Sequence, residues 1–230
     1  MRHRGVSPLD HAGLRWYRDQ TVVYRLTSQI LMPAALSCLA RVWLEGLEYI
    51  PTEGPVLLAA NHPDNLDGYL LLHLVPRTVH IAARQDAFGT GGLCAVWRRL
   101  GAFPADSWGL RYALTLLGEG RVVATFPQAT ISRDLGGAAS GAVGLLALRS
   151  GAPVVPVAIR GTDAVRMARP FVRRAEIEVR FGPPLWFARG GPGARTSLTA
   201  ANEILRAVDT LLCRDRHAPP SWRDDGVFNP

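Results

Sequence analysis

The residues best equipped for chemistry lie together in Asn61-His62-Pro63-Asp64-Asn65-Leu66-Asp67. An imidazole titrates near neutral pH, and a carboxylate on one ring nitrogen leaves the other to act as a base. His62 and Asp67 are five residues apart, about 140° around an ideal helix, so they cannot meet inside one. They can meet if His62 sits in a turn and Asp67 in the first turn of the helix that follows. Asp64 is a good helix cap and would place Asp67 at the third helical position. Spacing alone leaves a plainer arrangement open, with Asp64 and Asp67 as a capping pair and His62 as a satisfied turn residue.

The elements that would position this pair follow from the apolar rhythm. Val56-Leu57-Leu58-Ala59-Ala60 is a continuous apolar run, as in a strand buried on both faces. Residues 51–55 read as a turn before it and residues 68–75 as an apolar helix after the motif. Further strands are expected at 79–83, 122–126 and 154–159, with helices at 93–100, 108–117, 141–150 and 199–213. Residues 176–181 alternate charged and apolar side chains, which suits an edge strand. Strands alternating with helices predict an α/β fold with a mostly parallel central sheet flanked by helices. Sites in such sheets tend to lie beyond the strand ends, where the His62 motif falls.

An apolar helix is expected over residues 21–45, carrying Val22, Leu26, Ile30, Leu36, Leu39 and Trp43. It is apolar around much of its circumference and needs a cover. That cover is the domain's own core, a partner subunit or a membrane surface, with Trp16, Tyr17 and Trp43 near arginines. The domain reading is a polar segment at 1–20, one domain at 21–213 and a loose tail at 214–230. The most apolar window, 30–40, is broken by Pro33 and is shorter than the about 20 residues a bilayer span needs. The first 20 residues lack a signal-peptide layout, so a cytoplasmic location is expected, with peripheral membrane attachment as the variant.

Composition narrows the chemistry. The 26 basic residues are all arginine, and the net charge is +7. No lysine is available as a base or Schiff-base former. The arginines are scattered and accompany no recognised motif, which argues against nucleic acid. Cys38, Cys94 and Cys213 are isolated in apolar surroundings and are expected to be buried thiols, with no zinc spacing and no disulfide framework. His73 and His80 are expected to be core or edge residues, and the tryptophans, Trp186 and Trp222 among them, packing residues.

The motif also resembles the first motif of the lysophosphatidic-acid and glycerol-phosphate acyltransferase family, N-H-x4-D, preceded by the same apolar strand. The likeness continues in order. Leu100-Gly101-Ala102-Phe103-Pro104-Ala105-Asp106 resembles the second motif, and Val122-Val123-Ala124-Thr125-Phe126-Pro127 the strand into the third. Ser150-Gly151-Ala152-Pro153-Val154-Val155-Pro156-Val157 resembles the fourth. The resemblance implies a glycerol-phosphate-acyltransferase-like fold and a thioester-dependent acyl transfer. His62 would deprotonate the acceptor and Asp67 would orient the ring. The donor would be an acyl-CoA or an acyl or peptidyl carrier protein, with no metal and no organic cofactor.

The departures from that family bear on the acceptor. Ser107 stands where the resemblance implies an arginine, and Gln128-Ala129-Thr130-Ile131 stands where it implies Glu-Gly-Thr-Arg. Two phosphate-gripping arginines are thereby absent, so the acceptor is expected to carry no phosphate there, unless Arg111 or Arg133 substitutes. Asp64 replaces a small hydroxyl residue and would suit an amine-bearing substrate. The candidate substrate-binding residues are Asn61, Asp64, Gln128, Thr130, Arg133 and Arg111. Two rival readings follow. One is a repurposed enzyme of specialised (antibiotic) metabolism, in which a carrier-bound amino-acid-like substrate undergoes amine deprotonation and ring closure without thioester cleavage. The other is a non-catalytic subunit that keeps the fold for partner contacts.

Overall fold

The computed structural model describes residues 26, 30, 32–62, 66–83, 100–127, 139–167, 174–189 and 194–214. In chain order the elements are α1 (Met32–Leu39), β1 (Ala40–Glu45), β2 (Val56–Ala60), α2 (Leu66–Leu74) and β3 (Val79–Ala83). There follow β4 (Phe103–Pro104), α3 (Ser107–Gly118), β5 (Val122–Thr125), α4 (Ala139–Ser150), β6 (Val154–Arg160), β7 (Ala175–Phe181) and α5 (Ala194–Cys213). Short 3-10 turns occupy Leu47–Tyr49 and Asp163–Met167.

The strands form one seven-stranded sheet in the order β1-β7-β6-β2-β5-β3-β4. β2 pairs in parallel with β5 and β6, and β3 with β4 and β5. β7 runs antiparallel to β6 and parallel to β1. Five strands therefore share one direction, as the α/β reading expects. β2 sits near the middle, and every residue in it is buried. Its Val56, Leu58 and Ala60 pack on the face covered by Leu70, Leu71 and Leu74 of α2. Its Leu57 and Ala59 pack on the opposite face, against Leu116 of α3, Leu146 of α4 and Ile204 of α5. A strand covered on both sides has no polar face, which is why its sequence does not alternate.

α5 shows the contrasting pattern. Ala201, Ile204, Val208 and Leu211 recur at helical spacing and are buried, while the residues between them are largely exposed. This stripe packs α5 onto the sheet beside α4. Gly144 permits the close approach of the two helices, since a Cβ there would lie 2.0 Å from the Ser197 carbonyl oxygen.

Four expectations are corrected. The helix expected over 21–45 does not extend to 45, because Ala40–Glu45 is a strand paired with β7. A run apolar on all sides carries no period to separate helix from strand, and pairing to β7 decided it. The charged strand β7 is interior rather than an edge. Its charge is absorbed locally: the buried Arg180 pairs with Glu45 and Glu178 and donates to the carbonyls of Leu211 and Arg214 at the end of α5. Trp186, expected to pack, is 72% exposed. Of the thiols expected to be buried, Cys213 is exposed and Cys38 half-buried; Cys94 lies outside the described residues, as do Trp222, the helix expected at 93–100 and most of residues 21–31.

His80 in β3 is a core residue, 1% exposed. Burial pulls its pKa down from 6.5 to about 4, offset in part by a hydrogen bond with the Gly101 backbone. The ring is therefore folded in as the neutral form. Its contribution is fully present above pH 6.5 and is lost as pH falls towards 4. Complete protonation would cost about 3 kcal/mol. Denaturant unfolding at pH 7, 5.5 and 4.5 should show stability falling across this window. His80→Gln should flatten that part of the profile.

Candidate active site

The site forms where β2 leaves the sheet. Its neighbours there are β5 on one side and β6 on the other, so the chain exits between two parallel strands at their carboxyl ends. His62 is the second residue after β2, and Asp67 lies in the first turn of α2. The His62 Nδ1 and Asp67 Oδ2 atoms are 2.9 Å apart. Asp67 is fully buried, while the His62 side chain keeps 22% of its exposure. A carboxylate only accepts, so Nδ1 carries the proton and donates, and Nε2 holds the lone pair. As the spacing anticipated, Asp67 lies in the first helical turn and meets His62, although it is the second residue of α2 rather than the third.

A third group fixes the ring. Phe126, just beyond β5, lies with its ring centroid 4.4 Å from that of His62, tilted by 32°. The imidazole is thus held by an ionic hydrogen bond on its edge and an aromatic ring against it. Neither leaves it much freedom to turn.

Asn61, expected to contact substrate, has its side chain engaged with the backbone of β6. Its carboxamide is buried and occupied at both ends: Nδ2 donates to the Ile159 carbonyl at 2.8 Å, and Oδ1 accepts from the Ile159 N–H at 2.7 Å. Arg111 is exposed on α3, one turn beyond Ser107, itself exposed in the first turn of that helix. Asp64, Gln128, Thr130 and Arg133 lie outside the described residues. No cluster of three or more His, Cys, Asp or Glu side chains suited to a metal occurs among the described residues.

The apolar part of the site carried no chemical signal in the sequence. A pocket of about 90 Å³ opens between the sheet, α3 and α4, lined chiefly by Phe103, Leu110, Ala113, Val143 and Leu146. Thr125 and Pro127, which flank Phe126 in sequence, also line it. The residues flanking the His62-packing ring therefore belong to the wall of an apolar cavity. Its shape depends on how closely α3 approaches β4. Asp106 caps α3 by accepting from the Gly109 N–H at 2.8 Å. Gly109 itself lies against β4, where a Cβ would come within 1.7 Å of the Pro104 carbonyl oxygen.

A family model described as Acyltransferase matches residues 41–160, more than half of the chain. The chain belongs to this acyltransferase family. The matched stretch runs from β1 to the end of β6 and takes in His62, Asp67, Phe126 and the pocket. The crystal structure of the 1-acyl-sn-glycerophosphate (LPA) acyltransferase PlsC from Thermotoga maritima is similar, with a TM-score of 0.56. The match covers 90% of this chain and 86% of that one at 21% identity, so the two share the acyltransferase fold. Among curated proteins none matches the chain. The fold and family expected from the four motifs are those found, and the chain is an acyltransferase-like enzyme. Among the described residues no helix is long and apolar enough to cross a membrane.

Gly109→Ala should force α3 away from β4 and disturb the pocket floor. A destabilisation of about 1–3 kcal/mol is expected, read as a lower midpoint in denaturant. Ala142→Gly, on the opposite wall in α4, should not show the same strain.

Proposed function

We propose that this protein transfers an acyl group from a thioester to a hydroxyl or amine acceptor that carries no phosphate at the family's usual place. The observation that carries this reading is the 2.9 Å contact between a fully buried carboxylate and a partly exposed imidazole. Asp67 holds the tautomer, so Nε2 removes the acceptor proton. The resulting nucleophile attacks the thioester carbonyl, and the tetrahedral adduct collapses with departure of the thiolate. The imidazolium returns its proton to that sulfur, giving ester or amide and free thiol. The donor is an acyl-CoA or an acyl carrier protein, and the apolar pocket beside Thr125 and Pro127 takes the near end of the acyl chain.

The acceptor assignment rests on Ser107 and on Gln128-Ala129-Thr130-Ile131, where the family resemblance implies arginines. Each charge-assisted hydrogen bond to a phosphate is worth about 1.5–3 kcal/mol. Losing two disfavours a glycerol phosphate strongly against a neutral lipid, a sugar or an amine. Arg111 is exposed on α3 and is the nearest described arginine in sequence to Ser107; with Asp64 and Arg133 it is the first place to look for acceptor contacts.

Free-thiol release from a panel of acyl-CoA and acyl-carrier-protein donors, offered neutral, phosphorylated and amine-bearing acceptors, tests the reading. Acceptor-dependent release is expected, greatest with an unphosphorylated acceptor. His62→Ala should lower it about 100- to 10,000-fold. Asp67→Asn should lower it as well, with the donor KM little changed. Product formed while the substrate stays on its thiol would instead favour ring closure on a carrier.

The pocket gives a separate expectation. Ala113→Phe fills the cavity from α3 and should lower kcat/KM for long-chain donors about tenfold or more relative to two-carbon donors. An equal loss for both would mean that the chain lies elsewhere.

A further inference from the structure

We propose that Asn61 is a positioning residue for the reaction: its carboxamide stands in for the backbone acceptor and donor with which a longer β2 would have met Ile159, fixing the point at which the chain leaves the sheet and hence the place of His62. The inference rests on the reading of His62 as the base. Its physical content lies in the hydrogen bonds of β6.

β6 presents alternate residues to its two neighbours. The carbonyls of Pro153 and Val157 accept from the N–H groups of Leu57 and Asn61, so the odd-numbered positions of β6 face β2. The Pro156 carbonyl faces the other way and accepts from Gly182. Ile159 is the next odd-numbered position, but β2 offers it no residue, because its register with β6 ends at Ala60 opposite Val157. Turning the chain out of the sheet at this point would strand the N–H and C=O of a residue that is only 1% exposed. Two such buried groups without partners are costly. The Asn61 side chain meets both, at 2.7 and 2.8 Å.

Among short side chains, only a carboxamide presents a donor and an acceptor side by side, as the adjacent N–H and C=O of Ile159 require. Aspartate lacks the donor, and serine or threonine reaches too little of the gap. Asn61 can thus end the strand one residue early at no hydrogen-bonding cost. The residue after it is His62, whose ring is then set between Asp67 and Phe126. Without the clamp, the exit point can slide or fray, and the imidazole loses its register with a carboxylate fixed in α2. Asn61 touches no reacting atom; it acts through His62.

The test uses the full chain with a donor and acceptor that support turnover. Asn61→Ala and Asn61→Gln are compared with Leu117→Ala, a core substitution at the opposite end of α3 from the pocket, which lowers stability without removing a hydrogen bond of Asn61 or His62. Both Asn61 variants should melt cooperatively and lose about 10- to 100-fold in kcat. Both KM values should stay within about twofold of wild type. Leu117→Ala should keep the wild-type kcat well below its melting temperature. The low-field proton NMR signal of the His62 Nδ1–H, assigned by its absence in His62→Ala, should persist in Leu117→Ala and be lost or broadened in the Asn61 variants. Should Asn61→Ala fail to fold, Asn61→Gln decides the matter. A wild-type kcat with an intact Nδ1–H signal in either folded variant overturns the proposal. So does failure of both to fold, which would make Asn61 a requirement of the fold alone. Activity surviving in His62→Ala would sink the assignment of the base, while the NMR signal would still report whether Asn61 places the ring.

Discussion

A carboxylate with no exposure to solvent cannot stay charged in a protein unless its neighbours replace the water it has lost. Asp67 is in that position, in the first turn of α2, and the His62 ring edge is one of the groups that meets it. That pairing ties the end of a central strand to the beginning of the helix that follows. The rest of the architecture can be understood as what makes this contact geometrically repeatable. α2 is held by leucines on one face of the sheet, β2 is fixed between β5 and β6, and Phe126 limits the rotation of the imidazole. Each restraint acts on a different element, so no single one has to be strong.

The two faces of the sheet divide the labour. The face under α2 carries the polar pair and the ring that supports it. The face under α3, α4 and α5 carries the apolar pocket. They meet at the carboxyl end of β5, where alternation sends Phe126 to one side while Thr125 and Pro127 line the other. An acyl thioester is a molecule of the same two-part kind, with a polarised carbonyl at one end and a hydrocarbon chain at the other. The correspondence gives a physical reason why an acyltransferase family should use the end of a parallel strand in this way.

The polar network at the far edge of the sheet illustrates a different solution to burial. Arg180 carries a charge into the interior of β7, and it is neutralised by Glu45 and Glu178 while capping the carboxyl end of α5. Such a network brings β1, β7 and α5 together in one arrangement, because any other leaves a charge without its partner. It is a device of assembly, remote from the chemistry, and it accounts for a charged strand in a position where an apolar one would be expected.

The sequence by itself determined the α/β alternation and the placement of most strands and helices, and it offered the meeting of His62 with Asp67 as one of two arrangements. These are local matters: a turn followed by the first turn of a helix can bring residues five apart within reach, and a strand buried on both faces is apolar throughout. The order of the four motifs likewise pointed to the family whose model matches residues 41–160. Tertiary structure alone decided that Ala40–Glu45 is a strand, that β7 is interior, that Trp186 faces outward and that Phe126 backs the imidazole. It also decided the hydrogen bonds of Asn61, whose polar side chain next to a histidine suggests a ligand contact from the sequence. Its partners are the N–H and C=O of Ile159, 98 residues away. Contacts of this kind have no period and no spacing in the chain, because they are set by which strands lie side by side, and that depends on the packing of the whole sheet.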